Sequence, residues 1–172
     1  GDYVESSLAQ ASADGAVALV IELDTPGGLI STTKDIVTAI LNAEIPVVVF
    51  VSPRGAWAAS AGTFITIAGH VAAMAPGSTI GAAHPVSLGG SNPRAPEPAK
   101  EGEKETPRQG DFMDEKVENM TTAFIKAIAK ERQRNVEWAS EAVLRSVAIN
   151  ASEALEHNVI DLIANDLDDL LQ

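Results

Sequence analysis

Residues 46–63 read PVVVFVSPRGAWAASAGT and join a buried strand to a helix through a single serine. Residues 46–51 are apolar and rich in β-branched side chains, which is typical of a strand covered on both faces. Ser60 follows among alanine and glycine, whose small side chains let another chain approach closely. A hydroxyl at such a junction lies at the carboxyl edge of a sheet, among backbone N–H groups. Ser60 is therefore a candidate nucleophile, and a helix cap is its alternative role.

The composition is that of an acidic globular protein. The chain has 172 residues, of which 45% are hydrophobic and 21% charged, so we predict one domain over residues 1–172 with a substantial core. The net charge of −12 argues against nucleic acid or an anionic membrane surface as the partner, because both would repel the chain. The absence of cysteine excludes disulfides, thiolate nucleophiles and thiolate metal sites.

The sequence shows neither a signal peptide nor an apolar stretch of the roughly 18 to 20 residues that span a bilayer. It begins just before a helical pattern at residues 3–13. We expect the chain to be an excised piece of a longer protein whose missing parts include a membrane anchor.

Strand and helix patterns alternate along most of the chain. This alternation predicts an α/β fold, with a mostly parallel sheet in repeated ββα-type units and helices on both faces. Strands are predicted at residues 16–23, 46–52, 70–75, 79–83 and 159–163. Helices are predicted from residue 29 to about 42 and at residues 3–13, 58–68, 112–133, 136–145 and 166–172, with a capped turn at 152–158. Residues 87–111 carry four prolines, many charges and almost nothing to bury, so we predict a mobile loop there.

A Thr25-Pro26-Gly27-Gly28 turn follows the first predicted strand. Paired glycines let a backbone approach a ligand, and a peptide N–H at a helix start can donate to a developing oxyanion. The N–H groups of Gly27, Gly28 and Ala61 are therefore candidate oxyanion-hole donors. The alternative is a strand-to-helix turn that only needs a positive φ.

Together, the DTPGG turn at residues 24–28, the GAWAASAGT segment at 55–63 and the MAPGSTIGAAHP segment at 74–85 resemble the Clp-protease/crotonase fold. More closely, they are similar to the NfeD-type membrane-bound serine proteases, the partners of stomatin-like proteins, and more distantly to signal peptide peptidase A. The resemblance extends from about residue 16 to the C-terminus and leaves out only residues 87–111.

The resemblance implies a Ser–Lys catalytic dyad, with Ser60 as nucleophile and Lys116 as its general base. Lys116 stands in the segment DEKVENM at residues 114–120, near the start of a predicted helix. A lysine accepts a proton only when neutral, and burial favours the neutral form. This base implies an alkaline optimum. The alternative is a solvated lysine that pairs with Glu115 or Glu118.

Other lysines and one histidine are alternative candidates for the base. Lys126 and Lys130 are expected on the helix surface, and Lys100 and Lys104 lie in the predicted loop. His84 follows Ser60 at about the distance of a Clp-type histidine, but it stands directly before Pro85. A shift of one residue turns a strand side chain to the opposite face. The residue at the position of the Clp-type histidine is then Ala83, which cannot act as a base. His84 is expected to line the cleft or to be structural.

The resemblance further implies a membrane-associated, extracytoplasmic endopeptidase that cleaves apolar peptide segments, such as the hydrophobic C-terminal region of a stomatin-like protein. A homodimer or higher homo-oligomer is expected, without metal or cofactor. Three alternatives remain open at this point. They are a Clp-like Ser–His peptidase, a crotonase-like acyl-CoA enzyme that uses only the oxyanion hole, and a noncatalytic scaffold that binds peptides.

Overall fold

The computed structural model describes residues 2–85 and 109–172. In these residues seven helices and seven strands follow one another. The helices are α1 (Asp2–Ala13), α2 (Ile30–Leu41), α3 (Ala61–Ala68), α4 (Gln109–Glu131), α5 (Val136–Leu144), α6 (Ala151–Glu156) and α7 (Leu167–Leu170). The strands are β1 (Leu19–Leu23), β2 (Val47–Val51), β3 (Trp57–Ala59), β4 (Val71–Met74), β5 (Thr79–Gly81), β6 (Ala148–Asn150) and β7 (Leu162–Ile163). The prediction of an α/β fold is confirmed.

The larger sheet is parallel throughout, in the order β1-β2-β4-β7. Its register pairs Val49 of β2 with Ile21 of β1 and with Ala72 of β4. The central strand β2 reads VVVFV, and four of its five side chains are buried. A strand with neighbours on both sides and cover on both faces needs such an unbroken apolar run, which explains why the sequence pattern located it.

A smaller sheet in the order β3-β5-β6 corrects the prediction for residues 58–68. The predicted helix is present from residue 61 as α3, but its first predicted residues belong to Trp57–Ala59, which form β3 and run parallel to β5. Strand β6 pairs antiparallel with β5 and was not predicted. Strands β3 and β6 have three residues each, which is too few for a periodic pattern. Their pairing also depends on partners distant in the sequence.

Other boundaries also differ from the predictions, since β1 begins at Leu19, β5 ends at Gly81 and α7 covers only Leu167–Leu170. The last predicted strand, at residues 159–163, is reduced to Leu162–Ile163. Helix α4 begins at Gln109, so residues 109–111 are helical and not part of a loop. Predictions for residues 87–108 lie outside the described part of the chain. Among the described helices, none is both long and apolar enough to cross a membrane.

Helix α3 lies at the centre of the core, with all eight of its residues buried. Its last carbonyls are bound by two arginines from the connection after α4. Arg134 donates from Nε to the Ile67 carbonyl at 3.2 Å and from Nη2 to the Gly69 carbonyl at 3.0 Å. Arg132 donates from Nε to the Ala68 carbonyl at 2.8 Å. Cations are favourable at a helix C-terminus, where the carbonyls lack intrahelical partners.

Arg134 also connects this helix end to the sheet. Its Nη1 donates to both carboxylate oxygens of Asp161 at 2.9 Å, and its Nη2 lies 2.8 Å from Asp161 Oδ2. The same carboxylate accepts the Ala72 N–H of β4 at 2.7 Å. Because Arg134 is only 6% exposed, its loss would leave buried carbonyls without donors.

We expect Arg134→Met to lower the free energy of unfolding by about 3 kcal/mol, because it keeps the aliphatic volume but removes every one of these bonds. Urea unfolding measures the change. The matched control is Arg145→Met, which removes an exposed pair with Glu141 and should cost less than about 0.5 kcal/mol. Equal losses in the two variants would contradict the role given to Arg134.

His70 precedes β4, and its Nδ1 accepts the Val47 N–H at 3.1 Å. Burial, and secondarily the positive charge of Arg132, holds the pKa of His70 below its ordinary value of 6.5. The unfolded chain therefore binds this proton more readily than the folded chain does. The contribution of His70 to folding stability is fully present above the pKa that this residue has in the unfolded chain. It is lost as the pH drops through the lower pKa that His70 has in the folded chain.

We expect the His70→Asn variant to lose less stability than the parent between about pH 7.5 and about pH 5.5, because an amide oxygen accepts the Val47 N–H without titrating. Unfolding free energies at both pH values measure this slope. His157→Asn removes an exposed histidine and serves as the control that should keep the parent's slope. A His70→Asn slope equal to the parent's would count against the assignment.

Candidate active site

Ser60 lies between β3 and α3 in an unusual backbone conformation. Its φ of 51° and ψ of −112° belong to a region that residues with a side chain rarely adopt. The Ser60 N–H donates to the Gly81 carbonyl of β5 at 3.1 Å. Thr63 supports the same turn, because its hydroxyl lies 2.9 Å from the Ala58 carbonyl and 3.0 Å from that of Gly81.

The Ser60 side chain does not cap α3. It makes no capping hydrogen bond, so the alternative role as a helix cap is not realised. Ser60 has a strained backbone at a strand-to-helix turn, and its hydroxyl is not used in a capping hydrogen bond. This is the geometry that exposes a nucleophile above a sheet.

The turn after β1 is joined directly to β3. The Thr25 N–H donates to the Trp57 carbonyl at 2.7 Å, and the Ala59 N–H donates to the Thr25 carbonyl at 3.1 Å. Asp24 Oδ1 accepts the Trp57 N–H at 2.8 Å. These bonds extend the smaller sheet by one bridge, between Thr25 and Ala58. They hold the glycine turn in a set position relative to Ser60.

Gly27 lies against the candidate nucleophile. Its φ is 141°, and a Cβ added there would lie 2.9 Å from Ser60 Cβ and 3.3 Å from Ser60 Oγ. The Gly27 N–H donates to Thr25 Oγ1 at 3.2 Å, so it already has an acceptor in this structure. The N–H groups of Gly28 and Ala61 have no acceptor within residues 2–85 and 109–172. They are the two donors that remain available.

A cavity of about 240 Å³ opens beside Ser60. Its lining is mainly apolar and comes from the glycine turn, α2, α3, the segment after β5, and α4. The lining residues are Gly28, Ile30, Thr33, Lys34, Ser60, Ala61, Phe64, Ala83, Pro85, Met120, Thr121 and Phe124. Phe64 and Phe124 stack with ring centroids 5.9 Å apart and join α3 to α4. The cavity suits an apolar side chain next to the serine.

His84, for which a cleft-lining or a structural role is expected, does not line this cavity. Its Nδ1 lies 3.0 Å from the Val143 carbonyl and 3.5 Å from Glu118 Oε2. It borders a neighbouring cavity together with Pro85 and residues of α4, while Ala83 and Pro85 border the serine cavity. No group of three potential metal ligands is found among the described His, Asp and Glu side chains.

Lys116 is exposed near the start of α4 and lines neither cavity. It lies four residues before Met120, so the two share one face of the helix, about 6 Å apart along the axis. Met120 borders the serine cavity. The described side chains thus place Lys116 one helical turn beyond the cavity and not in contact with Ser60.

Lys34 is a cavity residue that the sequence reasoning missed. It follows the glycine turn by less than two helical turns and borders the serine cavity from α2. The spacing offered a signal, because Ile30, Thr33 and Lys34 occur at i, i+3 and i+4 on one helix face. Only the approach of α2 to α3 and α4 shows that this face borders Ser60.

Comparison with known proteins identifies relatives. A family model described as NfeD1b, N-terminal domain, matches residues 1–101. The chain is 37% identical to the membrane-bound protease PH1510 of Pyrococcus horikoshii, over 99% of this chain and 35% of that protein. It is 36% identical to the membrane protein NfeD1b of Bacillus subtilis, over 47% of this chain and 18% of that one. The chain therefore spans about a third or less of these curated relatives.

Solved structures agree with these matches. A serine-to-alanine mutant of the 1510-N membrane-bound stomatin-specific protease has a TM-score of 0.82 and 37% identity, covering 99% of this chain and 75% of that one. A lysine-to-alanine mutant of that protease, in complex with a substrate peptide, has a TM-score of 0.81 and the same identity, covering 99% of this chain and 71% of that one. The predicted Clp-protease-like fold is confirmed. As its motifs predicted, the chain belongs to the NfeD family.

Proposed function

We propose that this chain is the peptidase domain of a longer, membrane-associated protein and hydrolyses peptide bonds with Ser60 as its nucleophile. The observation that carries the proposal is the conformation of Ser60. Its backbone is strained, its side chain makes no capping hydrogen bond, and it packs closely against Gly27 at the edge of an apolar cavity. A serine-to-alanine and a lysine-to-alanine mutant were made in the related stomatin-specific protease, which supports a Ser–Lys dyad here as well.

The reaction begins when Ser60 Oγ attacks the carbonyl carbon of the peptide and Lys116 Nζ accepts the hydroxyl proton. The oxygen of the tetrahedral intermediate receives hydrogen bonds from the Gly28 and Ala61 N–H groups, each worth on the order of 3 kcal/mol in comparable enzymes. The C–N bond then breaks, and the lysine returns the proton to the leaving amine. Water then hydrolyses the acyl-enzyme, and the Lys116 amine again acts as the base.

The choice of Lys116 rests on the direction of α4. This helix borders the serine cavity through Met120, Thr121 and Phe124, and Lys116 continues the Met120 side by one turn toward the N-terminus. For catalysis the flexible lysine side chain must turn from solvent along this face to Ser60 Oγ. In the related protease the mutated lysine follows the mutated serine by fewer residues than Lys116 follows Ser60 here. A longer segment between Pro85 and α4 in this chain would account for the difference.

The proposed substrate is an apolar peptide segment. Ile30 and Met120 are 53% and 64% exposed and border the cavity together with the rings of Phe64 and Phe124. The related protease is named as stomatin-specific, and one of its structures holds a substrate peptide. The hydrophobic C-terminal region of a stomatin-like membrane protein is therefore the proposed target. An extracytoplasmic location and assembly into a homo-oligomer belong to the same proposal.

We expect Ser60→Ala to lower kcat by about 10³-fold or more and Lys116→Ala by about 10² to 10⁴-fold, because the first loses the nucleophile and the second its base. His84→Ala should stay active. Hydrolysis of a fluorogenic apolar peptide by the 172-residue chain measures these rates. Lys126→Ala is the control on the same helix. Lys100→Ala and Lys104→Ala test two alternative bases, which the shorter serine-to-lysine spacing of the related protease suggests.

Activity that survives in Lys116→Ala but is lost in Lys100→Ala or Lys104→Ala would move the base out of α4. Loss in His84→Ala would instead indicate a Ser–His peptidase. A folded parent that binds peptides without cleaving them would identify a scaffold.

We expect Gly27→Ala to abolish most peptidase activity, because the new methyl group would lie 2.9 Å from Ser60 Cβ and displace either the serine or the turn. The control is Gly15→Ala, where φ is also positive at 70° but no atom lies within 4 Å of the added Cβ. Both substitutions strain the backbone, and only one of them touches the site. Retention of kcat in Gly27→Ala would contradict the placement of the turn.

A further inference from the structure

We infer that Lys34 is a specificity-determining residue that recognises a carboxylate on the peptide bound beside Ser60. This inference rests on the proposed peptidase function and names a chemical group of its substrate. Lys34 is the only charged residue among the described side chains that line the serine cavity. A carboxylate there could belong to an acidic side chain or to the C-terminus of the peptide.

The charge of Lys34 is not neutralised within the described part of the chain. It makes no hydrogen bond or ion pair there, and no Asp or Glu borders the cavity. The other described lysines also make no ion pair, so what distinguishes Lys34 is its position at the serine cavity. The ammonium group is left available at the edge of an apolar surface.

The surroundings of Lys34 make it effective in recognition. Thr33 beside it is buried and uses its hydroxyl on the Leu29 carbonyl at 2.8 Å, so it does not compete for an anion. Ile30 lies one turn before Lys34 on the same side of α2 and also borders the cavity. A peptide bound there meets an apolar surface and a cation together. Lys34 itself is exposed to solvent, so its attraction for a carboxylate is screened by salt.

The role differs from that of the proposed base. A base changes the rate for every peptide, whereas a carboxylate-binding cation changes the ratio between a peptide with a carboxylate and the same peptide without it. The ratio therefore identifies the role even if the absolute activity changes.

The test uses one apolar peptide in four forms, with Glu or Gln at one position and with a free or amidated C-terminus. Binding to the inactive Ser60→Ala variant is measured by fluorescence anisotropy, and cleavage by the parent is measured in parallel. We expect one carboxylate form to bind about five- to tenfold more tightly than its neutral partner, with a smaller ratio at high salt. The form that shows the effect identifies the source of the carboxylate.

In the Ser60→Ala background, Lys34→Gln should bring the ratio to about one and Lys34→Glu should invert it, while Lys126→Gln should preserve it. Equal binding of all four peptides, no binding of any, or a ratio that survives Lys34→Gln would overturn the inference. If Lys34→Gln abolishes cleavage of every peptide while Lys116→Ala does not, Lys34 is the base, and the inference of a carboxylate-binding role is overturned. If the parent cleaves nothing while the binding ratio depends on Lys34, the peptidase proposal fails and the carboxylate site stands.

Discussion

The buried guanidinium of Arg134 holds together the elements on which the site depends. It binds the last carbonyls of α3 and the carboxylate of Asp161, which in turn accepts the Ala72 N–H of β4. Helix α3 begins directly after Ser60, so fixing its far end against the sheet also limits how far the serine can move. A planar group with five donors can satisfy carbonyls and a carboxylate at once, which an ammonium group could not do in this geometry.

At the other end of α3, the backbone is held in a conformation that would relax if it were free. The positive φ of Ser60 is maintained by hydrogen bonds to Gly81 and by the bonds between Thr25 and β3. Strain of this kind persists only where the surroundings over-determine it. Ser60 borders the apolar cavity together with Gly28 and Ala61, whose N–H groups have no acceptor in the described part of the chain.

Much of the fold could be predicted from local patterns. The runs LVIEL and VVVFV have the composition of strands covered on both faces, and they pair in parallel, with β1 at the edge of the larger sheet and β2 inside it. Short strands such as β3 and β6 could not be predicted, because three residues carry no period and their partners lie far away in the chain. His84 stands directly before Pro85 and does not border the serine cavity, whereas Ala83 does.

The sequence by itself determined the fold class, the family, and the association of a serine with a glycine turn, because these are encoded in contiguous motifs and in local hydrophobic patterns. Only the tertiary structure decided that Gly27 contacts Ser60, that its N–H is directed to Thr25, and that Lys34 of α2 borders the same cavity. The physical reason is that each of these facts depends on how separate elements pack. Packing joins residues that no spacing along the chain relates.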